Sequence, residues 1–201
     1  MAPQIAIFHV NTVPSAEFEE FRRIASAPGV DVQIVELDPP GPMAGVEWLM
    51  PTFVIGFVAS SYFGGFFQEA GKDHYLLVKE QFKKLYAKVA GPDAPEIKLI
   101  GSAGKVKPVQ PYSLYFSFVG QGPNGVSVKL LLKKSLSQTE YDQSVEAFLD
   151  FLRNLNTDSL DAEEKRRFQS VTPMGRTILM VYDETTREVV PINPRSGELV
   201  R

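Results

Sequence analysis

Residues 48–68 read WLMPTFVIGFVASSYFGGFFQ, twenty-one residues without a charge that hold five of the chain's fourteen phenylalanines. Three structures suit such a run. A transmembrane helix needs about 20 mostly apolar residues, but Pro51, Gly56, Gly64 and Gly65, with Thr52, Ser60, Ser61 and Gln68, dilute this one. A buried element of a soluble fold is the second. A helix that is apolar all round sits inside a core, and residues 52–58 alone have the length of a buried strand, which periodicity does not separate from a short buried helix. The third is an exposed patch in which Tyr62, Phe63, Phe66 and Phe67 form an aromatic anchor of the kind favoured at interfaces. In that case the lysines that follow would meet lipid headgroups. The run lies mid-chain, between segments patterned as one soluble fold, and this favours the buried reading.

C-terminal to the run, Tyr75, Val78, Phe82, Leu85, Tyr86 and Val89 form an apolar stripe, with Lys79, Glu80, Lys83, Lys84 and Lys88 away from it. The spacing predicts an amphipathic helix over residues 69–89. N-terminal to it, residues 4–10 suit a buried strand. Pro14 is placed for a first helical turn, Phe18, Phe21, Ile24 and Ala25 share a helical face, and Pro28-Gly29 ends that helix. Val30, Val32 and Ile34 then alternate with Asp31 and Gln33, which predicts a second strand over residues 30–37. Strand, helix and strand in under forty residues predict a βαβ unit with parallel strands. Asp38-Pro39-Pro40-Gly41-Pro42 breaks the chain after it.

Residues 91–111 are rich in proline and glycine, with a short strand candidate at 97–100, and are read as a subdomain seam. Leu114, Phe116 and Phe118 alternate on one strand and Val126, Val128, Leu130 and Leu132 on the next. Asn124-Gly125 between them suits a hairpin turn with positive φ. Ser137-Gln138-Thr139-Glu140 is a capping box, and Tyr141, Val145, Phe148, Leu149, Leu152 and Leu155 line one face of the helix behind it. A short charged helix is expected over 159–168, strands over 177–182 and 188–192, and a polar tail over 193–201. The expected fold is α+β, loosely α/β: an N-terminal βαβ unit, a long apolar-then-amphipathic helical segment, a hairpin, a capped helix and a closing strand pair around a mixed sheet. One compact domain over 1–201 is expected, with the seam at 91–111.

Composition narrows the function. Apolar residues are 44% and charged residues 22%, ordinary for a globular chain that buries a core. A net charge of −3 leaves no basic excess for general nucleic-acid binding. Lys98, Lys105, Lys107, Lys129, Lys133 and Lys134, interleaved with Tyr112, Tyr115 and Phe116, read more simply as a solvated strand face. The absence of cysteine excludes disulfides, thiolate metal sites and cysteine nucleophiles, and fits a cytoplasmic setting. Residues 1–21 have no basic stretch and turn acidic by Glu17, so no secretory signal is expected there.

Catalytic motifs are weak. Five residues, not four, separate Gly65 from Gly71, and Asp73 stands where a phosphate loop has Ser or Thr. Gly101-Ser102-Ala103-Gly104 has the glycine spacing of a backbone-clamping loop but follows a strand pattern and precedes prolines. No nucleophile elbow surrounds a serine, and two histidines sixty-five residues apart announce no metal site. The ionisable candidates are His9, at the carboxyl end of the first strand, and Glu69, Asp73 and His74 beside the aromatic run. Glu69 and Asp73 share a helical face, where each carboxylate would perturb the other. The ordinary reading of this cluster is a polar collar. The sequence therefore leads to a non-catalytic interaction or regulatory module that meets a protein partner, or itself, through Tyr62, Phe63, Phe66 and Phe67, with no cofactor and no metal. A small hydrolase-like enzyme around His9, Glu69 and Asp73, and a protein that associates peripherally with membranes, are the alternatives.

Overall fold

The computed structural model describes residues 3–39, 52–91 and 111–200. The seam expected over 91–111, the strand candidate at 97–100 and the glycine loop at 101–104 lie almost wholly outside them. The architecture is α+β: one mixed sheet of seven strands in the order β2-β1-β3-β4-β5-β6-β7. The strands are β1 (Ile5–Val10), β2 (Val32–Leu37), β3 (Val54–Val58), β4 (Tyr112–Gln121), β5 (Ser127–Lys133), β6 (Thr177–Asp183) and β7 (Glu188–Pro191). Neighbours alternate between parallel pairs (β1 with β2, β3 with β4, β5 with β6) and antiparallel ones (β1 with β3, β4 with β5, β6 with β7).

The run at 48–68 splits between two element types. Its β-branched front, Val54, Ile55 and Val58, is the sheet strand β3, held between β1 and β4. A 3-10 turn, Ser60–Phe63, follows, and α2 (Gly65–Lys84) begins beyond Gly64. The helical segment expected here is thus preceded by a strand, because both edges of β3 find ladder partners, information that no local window contains. Gly56 is needed in that strand: a Cβ there would lie 2.6 Å from the Phe118 ring.

α2 carries Tyr75, Val78 and Phe82 into the core, as its stripe predicts. It stops at Lys84, and the short α3 (Tyr86–Val89) continues after Leu85. The break has a hydrogen-bonding cause. The Phe82 carbonyl accepts from the Leu85 N–H at 3.2 Å and from the Tyr141 hydroxyl at 2.9 Å, which places a side chain where the next α-helical bond would fall.

α1 (Glu19–Ala25), α2, α4 (Gln138–Asn156) and α5 (Ala162–Ser170) pack on one face of the sheet. Phe21 meets Phe82 at 4.7 Å between ring centroids, Phe82 meets Phe118 at 5.0 Å, and Phe118 meets Phe148 at 6.2 Å, so three helices and β4 share one aromatic seam. Gly120 of β4 lets α4 approach, since a Cβ there would fall 2.3 Å from Leu152. Both α4 and α5 start with complete capping boxes, Ser137 with Glu140 and Asp161 with Glu164. β1 and β5 point the same way, yet β2 follows β1 on one side while β6 follows β5 on the other. With α1, α4 and α5 on one face, those two crossovers have opposite hands, although such connections are right-handed in about 98% of cases.

The other face is different in kind. At the β5–β7 end, Leu131, Leu179, Val181, Val190 and Ile192 form a second, smaller cluster, packed against Tyr112 and Leu199. Leu199 comes from the stretch expected to be a polar tail. That stretch instead turns at Gly197, with φ of 77°, and bridges back to Ile192. Towards β1 and β3, Phe8, Ile55, Phe57 and Val119 are half-buried on this face. Among the described residues, no helix is long and apolar enough to cross a membrane.

Candidate functional site

Both histidines are held by structural partners. His9, fully buried on β1, has Nδ1 3.1 Å from the Val10 carbonyl and Nε2 3.1 Å from the Ser15 hydroxyl. A carbonyl only accepts, so Nδ1 carries the hydrogen and Nε2 accepts from Ser15. The His9 ring also lies 5.3 Å from Phe18. His74, on α2, donates from Nε2 to the Ala25 carbonyl at 2.8 Å and accepts at Nδ1 from the Tyr62 hydroxyl at 3.0 Å. It thereby ties α2 to the end of α1 and to the turn after β3. The two imidazoles share none of these partners. Asp73 is exposed on α2. Glu69, Phe66 and Phe67 fall on the α2 backbone, and their side chains lie outside the described residues. Tyr62 and Phe63 are core residues, 1% and 4% exposed. Burial pushes the Tyr62 hydroxyl's pKa up, which keeps it a neutral donor.

A second polar cluster fastens α2 to α4. The Lys79 ammonium, on a residue 4% exposed, bonds Asp150 at 2.9 Å and Glu146 at 3.1 Å, and lies 5.3 Å from the Tyr75 ring. Tyr75 donates its hydroxyl to Asp150 at 2.8 Å, and Arg153 pairs with Asp150 at 3.2 Å. Burial, and then the charge of Asp150, raise the Tyr75 pKa. Burial works to raise the Glu146 carboxyl, but the hydrogen bond and charge of Lys79, with Lys83, hold it below its ordinary value. Every member has a partner within the cluster, which is the pattern of a fastening between two helices.

Among the described residues, a cleft lies at the carboxyl ends of β5 and β6. Their parallel ladder stops at Leu130↔Met180, while β5 runs on to Lys133 and β6 to Asp183. On the outer edges pairing continues, Tyr112↔Lys133 on one side and Asp183↔Glu188 on the other. The two strands therefore part at their ends and open a cleft of about 360 Å³. The split coincides with an irregularity in β4 between Tyr112 and Ser117, where the Ser113 hydroxyl accepts from the Tyr115 and Phe116 N–H groups. A bulge of this kind bends the strands beside it.

The cleft has an apolar floor and a charged rim. Leu131, Val181 and Leu199 line it from the sheet side, Leu136 and Ser144 from the α4 side, and Tyr112 from β4. Lys133 and Glu184, each about half exposed, form an ion pair across the mouth, from the end of β5 to the turn after β6. The hydrogen bond to Glu184 raises the Lys133 pKa; burial opposes this, and the charges of Glu184 and Glu140 add to it. Glu140 reaches the rim while its carboxylate accepts the Ser137 N–H at 2.7 Å, and its bonds to Ser137 hold its pKa down. Asp183, 6% exposed, accepts the Thr185 N–H at 3.0 Å. Ligands of open sheets containing parallel strands gather at such carboxyl ends, and small-molecule sites are clefts of about 300–1,000 Å³ with few, placed polar groups.

Sequence reasoning passed over this site. Lys133 and Tyr112 fall within the lysine and aromatic strand face read from the sequence, and residues 183–187 lie between two expected strands. The usable signal was the closeness of a strand end near Lys133 to the capping box at Ser137 and Glu140, since a short connection leaves the helix start at the same end of the sheet as the strand's carboxyl end. Among the described residues, no group of His, Asp and Glu is arranged to hold a metal ion. No protein-family model, no curated protein and no solved structure matches the chain.

Proposed function

We propose that this protein is a non-catalytic binding or regulatory module that takes a small amphiphilic molecule in the cleft between the ends of β5 and β6. The observation that carries this reading is the end of the β5–β6 ladder at Leu130↔Met180 while both strands continue. Continuous pairing would be the stable default for two parallel strands, so the gap is a feature the fold maintains. The floor offers apolar area to a ligand body, and the rim offers charge to orient its head. A binding rather than catalytic role is favoured because both histidines are committed to structural partners, as are Tyr75, Asp150 and Lys79. Of the aromatic surface Tyr62, Phe63, Phe66 and Phe67, the first two rings are buried and the side chains of the other two lie outside the described residues, so the cleft is the contact surface proposed.

The test is an amide-resolved NMR titration with four-carbon probes of each charge: butylammonium, butyrate and butan-1-ol. The reading expects saturable shift changes for at least one probe, concentrated at residues 131–133, 181–185 and 199. Changes that never saturate, or that centre on residues 60–75, would overturn it.

A further inference from the structure

An ammonium, that of Lys133, sits across the mouth on Glu184 and within the field of Glu140. Among the described residues, the lining sets Glu140 and Glu184 at the rim beside this cation. Resting on the binding-module reading, we infer that the cleft is selective for a protonated primary amine with a short apolar body. Its ammonium replaces that of Lys133 between Glu184 and Glu140, and its body lies over Leu131, Val181 and Leu199. Displacing Lys133 is easy for two reasons. Its side chain and that of Glu184 are 54% and 52% exposed, and ion pairs that exposed contribute only about 0–1 kcal/mol. The lysine head also rides on a flexible four-carbon stem and regains full hydration when it swings away. A carboxylate ligand would gain Lys133 but would also meet Glu140 and Glu184.

The experiment compares butylammonium, butyrate and butan-1-ol on the intact protein and on Lys133→Ala and Glu184→Gln, at fixed ionic strength, with circular dichroism confirming that each variant is folded. In the wild type, butylammonium is expected to bind about fivefold or more tighter than butan-1-ol, with butyrate weakest. Lys133→Ala, which removes the competing ammonium, should tighten butylammonium several-fold. Glu184→Gln should weaken it and leave butan-1-ol unchanged. If butan-1-ol or butyrate binds in the cleft as tightly as butylammonium, or if Lys133→Ala weakens the amine, the selectivity is wrong and the cleft reading survives. If none of the three probes binds, the cleft reading itself falls.

Discussion

Phe118 and Val119 are consecutive residues of β4 that face opposite sides of the sheet. Phe118 is 1% exposed, with Phe82 on α2 at 5.0 Å and Phe148 on α4 at 6.2 Å between ring centroids. Val119 is half-buried, and its register partners, Phe57 and Lys129, belong to the other face. The helix-covered face is a continuous aromatic and aliphatic core, closed by four helices. The other face admits polar groups into its middle. Ser117 and Thr52 share a 2.7 Å hydroxyl bond there, and Lys129 is 5% exposed. One face is built to hold the fold together. The other keeps chemistry within reach, and the cleft opens where the small cluster on that face meets the ends of β5 and β6.

The largest test of this contrast is a pair of truncations. Phe118→Ala should destabilise by about 3–5 kcal/mol, as buried aromatics do when a cavity is left behind. Val119→Ala should cost about 1 kcal/mol, the loss of little more than a methylene's burial. Urea unfolding of both variants measures this, and similar values would mean that the two faces contribute alike.

Next in size is the fastening on the outer side of the helical layer. Asp150→Ala removes one partner of the Lys79 ammonium and the acceptor of the Tyr75 hydroxyl. The expected loss is about 2 kcal/mol, below the roughly 3–5 kcal/mol for breaking a fully buried pair. The discount arises because Asp150 is one-third exposed and Glu146 still holds Lys79. Asp150→Asn, which keeps the shape and the carbonyl acceptor, should recover part of the loss. A loss with Asn as large as with Ala would show that charge alone matters there.

An effect of similar size, spread over a pH range, belongs to the polar face. Burial lowers the Lys129 pKa to about 8, against an ordinary value of 10.5. Between those values the unfolded chain holds a proton that the folded chain has released, so stability rises as pH increases through this window. The rise should amount to about 2 kcal/mol between pH 8 and 10. Above about pH 10 it reverses, because burial raises the hydroxyl pKa values of Tyr62, Tyr75 and Tyr141 and their deprotonation favours the unfolded chain. Chemical denaturation of wild type and Lys129→Met across pH 7–10 isolates the term. A difference between the two that does not change with pH would show that Lys129 remains charged in the fold.

Much of the element inventory was legible because its signals are local. Asn124 and Gly125 both adopt positive φ, 59° and 72°, as an Asn-Gly hairpin turn requires. Ser137 and Glu140 make both bonds of the capping box that their spacing announced. The stripe from Tyr75 to Phe82 is buried as its period demanded. Residues 52–58 resisted a single reading because a short apolar run is compatible with strand or helix until a ladder partner exists. Residues 193–201 read as a polar tail because their composition hides one leucine, Leu199, that packs on a cluster built from three strands.

The sequence by itself determined where chains turn, where helices start and which residues must leave water, since a turn, a cap or an apolar period acts over a few residues. It also set the hydrophobic inventory from which an α+β core is made. Tertiary structure alone decided which strands are neighbours, that all four longer helices share one face, and that β5 and β6 separate at Leu130 and Met180. The decisive contacts among these join residues far apart in the chain, Val54 with Phe116 and Leu130 with Met180. There, ladder pairing, the bulge in β4 and the packing of α4 compete, and no local stretch encodes how that competition ends.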